Sequence, residues 1–213
     1  MAQADSTLRL QTARDQPSVF KLVLLGSGSV GKSSLALRYV KGDFNSILPT
    51  VGCAFLTKVV QVGEAALKFE IWDTAGQEKY HSVCRLYFRG ANAALLVYDI
   101  ASKDSFLRAQ QWLGDLESEF LPGDIVVMLL GNKTDLSDER QVTFEEGKAF
   151  AESKRLLFME ASAKLNHQVS EAFSAVAREL LQRQEEKVDQ VQRTKSQVDL
   201  NEGSLRQVKC CAR

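Results

Sequence analysis

Eight residues, Gly26-Ser27-Gly28-Ser29-Val30-Gly31-Lys32-Ser33, narrow the folds open to this chain more than any other segment. They have the spacing G-x-x-x-x-G-K-[ST]. They follow the apolar run Val19–Leu25 and open a stretch with helical patterning. In that context the glycines let the backbone wrap so that successive amides point inward at phosphate oxygens. The helix behind adds the positive end of its dipole. Lys32 supplies an ammonium to the β- and γ-phosphates, and Ser33 offers a hydroxyl to Mg²⁺. A Gly/Ser turn with a helix cap would use similar residues but does not require Lys32. The loop alone does not choose between ATP and GTP.

The rest of the chain fits a doubly wound α/β domain. Ala93–Asp99 and Ile125–Asn132 are further continuous apolar runs, the mark of strands covered on both faces in a parallel sheet. Phe55–Val62 and Leu67–Trp72 flank Gly63-Glu64, which predicts a hairpin and hence an antiparallel edge. Helical patterns follow Lys32, Asp104, Phe144 and Val169, and Leu156–Met159 is a last short strand. Thr143-Phe144-Glu145-Glu146 has the form of a capping box. The expected organisation is a flexible arm over 1–17, a domain over 18–182 and a disordered tail over 183–213. Neither the arm nor the tail holds an aromatic residue.

Base choice is read from Asn132-Lys133-Thr134-Asp135 at the end of the third parallel run. A carboxylate accepts only, and guanine presents two adjacent donors, N1–H and the 2-amino group. Adenine lacks both, which would leave Asp135 unpaired and reject that base by roughly 10⁴ or more. Ala161-Ser162-Ala163-Lys164 follows the last strand, and a backbone amide near Ala163 is placed to donate to guanine O6. Asp73-Thr74-Ala75-Gly76-Gln77-Glu78 follows Ile71-Trp72. Asp73 can hold Mg²⁺ through water. The Gly76 amide can approach a γ-phosphate, and Gln77 can orient an attacking water. Thr50 could give the metal a second hydroxyl.

Composition excludes other classes. Lys plus Arg and Asp plus Glu number 27 each, so net charge is zero and the footprint of a nucleic-acid-binding protein is missing. Four cysteines, two of them adjacent at the end, make no disulfide framework. With two histidines there is no zinc spacing, and a reducing, cytosolic setting is expected. The start lacks an apolar signal region, Ala2 is not the glycine of N-myristoylation, and no apolar run approaches membrane-span length. Cys53 and Cys84 read as small packing residues, Trp72 and Trp112 as packing aromatics, and Glu185-Glu186-Lys187 as a solvated run.

The succession Gly26–Ser33, Thr50, Asp73–Gln77, Asn132–Asp135, Ser162–Lys164 resembles the Ras superfamily of small GTPases. Val51-Gly52-Cys53-Ala54-Phe55, Lys68–Trp72, Lys79–Cys84, Tyr87–Ala91 and Tyr98–Ile100 resemble its Rab family, and Leu22–Phe44 the endosomal branch of that family. The likeness covers about 18–182. It implies a six-stranded mixed sheet with one antiparallel edge strand, ringed by helices, GTP and GDP as substrate and product, Mg²⁺, and slow hydrolysis. The nucleotide-binding set carried over is Gly26 through Ser34, Phe44 stacked on guanine, Thr50 in switch I, Gly76 opening switch II, Asn132, Lys133, Asp135, Ser162, Ala163 and Lys164. Metal falls to Ser33, Thr50 and Asp73, and catalysis to Gln77 and Lys32. No arginine finger lies in the core, so an activating protein would supply it. Exchange factors, effectors and prenyl-tail-binding escort proteins complete the implied partners of a monomeric domain. Three positions depart from the pattern: Ile47 replaces an aromatic residue, Phe44 to Thr50 is one residue short, and Gly28 replaces a frequent serine. Six extended residues still reach about 20 Å.

The chain ends Lys209-Cys210-Cys211-Ala212-Arg213, and paired terminal cysteines resemble Rab ends that carry two geranylgeranyl groups. One lipid anchors marginally; two, or one plus a basic patch, anchor stably. Seven basic and five acidic residues in 183–213 make too weak a patch, which favours two lipids on Cys210 and Cys211. The expected place is the cytoplasmic face of endosomal membranes, with a soluble pool. A guanine-nucleotide scaffold with little hydrolysis, or a different P-loop NTPase, would share the loop. Gln77 argues against the first and Asn132–Asp135 against the second.

Overall fold

The computed structural model describes residues 17–44, 50, 52–74 and 86–202, with side chains to residue 190. The chain divides into two units, residues 1–178 and 179–213.

In the first unit, β1 (Ser18–Leu25), β2 (Cys53–Val62), β3 (Ala65–Thr74), β4 (Ala93–Asp99), β5 (Val126–Asn132) and β6 (Leu157–Glu160) form one sheet in the order β2-β3-β1-β4-β5-β6. β2 pairs antiparallel with β3 across Gly63-Glu64, and the other neighbours pair parallel. The expected mixed sheet and its antiparallel edge are therefore present. β4 and β5 are buried along nearly their whole length, as continuous apolar runs demand, while β2 alternates as an edge strand does.

Helices α1 (Lys32–Lys41), α2 (Lys103–Glu119) and α3 (Phe144–Ser153) pack around the sheet, and α4 (Val169–Glu202) begins in this unit. One core layer stacks Tyr39 of α1 on Phe173 of α4, with ring centroids 3.9 Å apart, beside Phe69. The other joins Tyr98, Phe106, Phe88 and Trp112, so Trp112 packs as expected. Parallel connectivity brings the C-terminal ends of β1, β3, β4 and β5 together, where loops carry ligands in such sheets.

Two local expectations change. The Thr143 hydroxyl accepts the Glu146 amide at 3.1 Å, but the Glu146 carboxylate bonds Lys103 of α2 rather than reaching back to close a capping box. A charged partner holds a carboxylate more strongly than a neutral amide does. The backbone is also helical to Glu202, well into the segment expected to be disordered from 183. This stretch contains no proline and is rich in Gln, Glu, Lys and Arg, all good helix formers. In the second unit Arg183 donates to Glu179 at 2.7 Å and Gln182 to Glu186 at 3.1 Å, both at i,i+4 spacing.

Candidate functional site

The loop between β1 and α1 cannot be built without its glycines. Gly26 has φ 141°, and a Cβ there would sit 2.1 Å from the Val97 carbonyl oxygen. Gly31 has φ 97°, and its Cβ would sit 2.3 Å from Asn132 Nδ2. Ser29 takes the left-handed region at φ 63°. Lys32 is buried, and its Nζ donates to the carbonyls of Gly26 at 2.8 Å and Ser27 at 2.9 Å, bridging the loop from inside. No side chain caps α1 and no acidic residue stands in its first turn, so the helix offers its N-terminal amides to an anion. Ser27 and Ser34 are buried as well, and Ser27 Oγ has no hydrogen-bond partner among the described residues.

Beside the loop, three oxygen-bearing side chains from separate elements converge. Ser33 Oγ lies 2.6 Å from Thr50 Oγ1, and Thr50 donates to Asp73 Oδ2 at 3.2 Å. Thr50 thus reaches both. Asp73, the penultimate residue of β3, lies next to Leu24 of β1 and is 2 % exposed. Burial pushes its carboxyl up from the usual range, opposed by the Ser33 hydroxyl, the Lys32 charge and the Thr50 hydroxyl. Its Oδ1 is buried with no partner among the described residues. An orphaned anionic oxygen among hydroxyls fits a hard divalent cation such as Mg²⁺, directly or through water. Among the described residues no three His, Cys, Asp or Glu side chains cluster as a metal site. A cation here therefore takes hydroxyls and ligand oxygens for the rest of its shell.

The base-reading residues form a second group. Asn132 ends β5 and is 1 % exposed. Its Nδ2 donates to the Val30 carbonyl at 2.8 Å, tying the phosphate loop to β5. Its Oδ1 accepts the Ala163 amide at 3.2 Å. The amide expected to face guanine O6 thus has a protein partner, because the buried Asn132 carbonyl must be satisfied. Ser162 donates to Asp135 Oδ1 at 2.5 Å, and Lys164 Nζ stands 3.7 Å from Oδ2. Reciprocal backbone bonds between Ser162 and His167, 3.0 Å each, close this loop.

Lys133 takes φ 69° and pairs with Asp99 Oδ2 at 2.7 Å, while Asp99 Oδ1 accepts the Ala101 amide at 2.9 Å. A cleft of about 430 Å³ along the phosphate loop is lined by Ser27, Ser29, Asp99, Asp104, Arg108 and Lys133 among others. Asp99 was not among the expected site residues, although an acid ending an apolar strand beside Asn132 was the available signal. Arg38 was also missed. It donates to the carbonyls of Ala163 at 2.9 Å and Lys164 at 3.2 Å, and its guanidinium lies 5.5 Å from the Phe44 ring centroid. One α1 side chain thereby braces the 163–164 loop and Phe44.

Gly76, Gln77, Ile47, Cys84, Cys210 and Cys211 lie outside the described residues. Trp72 packs, as expected, edge-on to Phe55 at 5.3 Å and tilted against Tyr87 at 6.0 Å.

The profile of the Ras family matches residues 21–182. The chain is 73% identical over 212 residues to the human (Homo sapiens) Ras-related protein Rab-17, with all of both chains covered. It is 67% identical over 214 residues to the mouse (Mus musculus) Ras-related protein Rab-17, again over all of both.

Proposed function

Because the chain belongs to the Rab group of the Ras family, we propose specific roles for its residues in binding and hydrolysing GTP. As a small GTPase it binds guanine nucleotides and hydrolyses GTP, and Rab proteins associate with intracellular membranes. The reading as a scaffold that scarcely hydrolyses is not favoured. One observation supports the assignment of roles above others: Lys32 and the Ser33–Thr50–Asp73 chain meet at the phosphate loop from three parts of the sequence.

In this reading the amides of 26–34 cradle the α- and β-phosphates, and Lys32 directs its ammonium at the β- and γ-phosphates. Ser33 and Thr50 give hydroxyls, and Asp73 its unpartnered oxygen, to the metal shell. Mg²⁺ held there would offset charge that develops on the transferring phosphoryl group. Gln77 orients the attacking water and the Gly76 amide meets the γ-phosphate. Phosphate and metal contacts would add to those Thr50 makes with Ser33 and Asp73, so loss of the γ-phosphate loosens switch I, and switch II relaxes with it.

Asp135, steadied by Ser162, takes guanine N1–H and the 2-amino group, while Phe44 and the Lys133 stem flank the base. The unaided rate would be on the order of 10⁻⁴ s⁻¹, rising by about 10⁵ when an activating protein adds an arginine. Exchange factors, effectors and prenyl-tail-binding proteins would act on this cycle. Among the described residues no helix is long and apolar enough to cross a membrane. Attachment to an endosomal membrane would come from geranylgeranyl groups on Cys210 and Cys211.

The test is single-turnover hydrolysis on GTP-loaded protein. Gln77→Leu should slow phosphate release about tenfold or more while leaving GTP bound, and Ser33→Asn should weaken GTP retention far more than GDP retention. Unchanged hydrolysis in the Gln77 variant would remove that residue from its assigned role.

A further inference from the structure

Arg38, half-buried in the last turn of α1, spreads its guanidinium over two segments far apart in the sequence. Nε donates to the Ala163 carbonyl at 2.9 Å and Nη2 to the Lys164 carbonyl at 3.2 Å, while Nη1 donates to the Gly42 carbonyl at 2.7 Å. Its central carbon lies 5.5 Å from the Phe44 ring centroid. A cation that merely complements the helix dipole needs none of these partners, and Lys41 in the same turn already supplies one. Three carbonyls and a ring on one side chain call for a planar fork of fixed donors. That fork stands on a fixed base. The Gly42 amide donates to the Arg38 carbonyl at 3.0 Å, and Gly42 turns the chain out of the helix at φ 72°. One residue on, Tyr39 stacks on Phe173, and its carbonyl accepts Lys58 Nζ from β2, an ammonium 4.0 Å from the Tyr39 ring centroid. The turn carrying Arg38 is thus held from both sides, and its guanidinium can constrain what it touches. On one side lies the loop of Ser162, whose hydroxyl donates to Asp135; on the other lies Phe44.

We infer that Arg38 is a positioning residue for the guanine ring: it clamps the 163–164 loop and Phe44 to the end of α1 and so sets how long GDP stays bound. This deepens the base-binding reading above and rests on it. The bonds to the carbonyls are charge-assisted, and the contact with Phe44 orients the ring that flanks the base. None of these contacts involves Lys32, Ser33, Thr50 or Asp73, so the clamp acts on release separately from the metal.

The experiment measures release of a fluorescent GDP from the full chain, with Mg²⁺ present and again after its chelation. Arg38→Met keeps the aliphatic stem and the helix propensity but no donor, and should speed release about tenfold. The factor should be the same with and without Mg²⁺. Phe44→Leu should speed release as well, and the two changes together should give less than the product of the single effects, because each removes part of one clamp. A general loss of structure would instead multiply with Phe44→Leu. Arg38→Lys keeps the charge but not the fork and should fall between Met and Arg, and it stands in should Arg38→Met fail to hold nucleotide. Parental release in either Arg38 variant, a factor that vanishes on chelation, or single effects that multiply would each overturn the proposal. Parental release in Phe44→Leu would overturn the reading of Phe44 as the partner of the base, and the proposal with it.

Discussion

Asp99 and Lys133 show how much of this site depends on single pairs. Asp99 is held by the Ala101 amide on one oxygen and meets Lys133 at 2.7 Å with the other. Their side chains are 13% and 31% exposed, so the pair is partly shielded from solvent. Lys133 also carries a left-handed backbone, a conformation that persists only where its surroundings enforce it. Asp99→Asn should release Lys133 and speed GDP dissociation by about fivefold, corresponding to about 1 kcal/mol. Stopped-flow release of a fluorescent GDP analogue measures this. Adding Lys133→Met should then give less than the sum of the two single effects. Residues whose chemistry depends on local spacing were legible in the sequence: Gly26, Gly31, Lys32 and Ser33 lie within one turn and helix start. Asp99 and Arg38 were not, because their partners come from other elements and depend on strand register and helix placement. Ala163 has a partner in the protein that was not legible either, for a related reason. Its amide answers a buried asparagine whose orientation only the packed structure defines.

At the scale of elements, α3 approaches β5 and β6 closely because two glycines leave room for Tyr98. A Cβ on Gly131 would lie 2.7 Å from the Tyr98 hydroxyl oxygen, and one on Gly147 would lie 2.6 Å from it and 2.9 Å from the Phe158 ring. Gly147→Ala gains about 1 kcal/mol of helix propensity but forces an overpacked contact costing about 1–3 kcal/mol. The sequence-local effect and the packing effect oppose each other, and packing should win. The urea midpoint is expected to fall. The Tyr98 hydroxyl has no hydrogen-bond partner among the described residues, so adding Tyr98→Phe should recover part of the loss. Burial also drives that phenol's pKa well above its ordinary value, which keeps it neutral. Strands were readable because parallel, doubly covered strands are continuously apolar and the β2–β3 hairpin alternates around a two-residue turn. Helix extents were less so. Composition without aromatics pointed to disorder from residue 183, yet the backbone is helical to Glu202, with i,i+4 side-chain pairs between residues 179 and 186.

In the whole molecule a Ras-family domain over residues 21–182 precedes a segment that carries Cys210-Cys211. Strand order could not be read from any single segment, since β1 lies between β3 and β4 by long-range pairing. The motifs implied only a shared direction, because Lys32, Asp73 and Asn132 can lie at one end of the sheet only if β1, β3 and β5 point the same way. At this scale Cys210→Ser with Cys211→Ser should move the protein from the membrane pellet to the soluble fraction, and each single change should weaken attachment partially. Fractionation of cells expressing each form reads this out, and unchanged pelleting of the double variant would refute a lipid anchor at those positions. The most direct check on the account as a whole is displacement of a fluorescent GDP from the purified full chain in Mg²⁺ by unlabelled competitors. GTP should displace it stoichiometrically, while ATP in about thousandfold excess should leave it bound. Displacement by ATP at the same concentration as GTP would contradict the assignment of Asp135 as the reader of guanine.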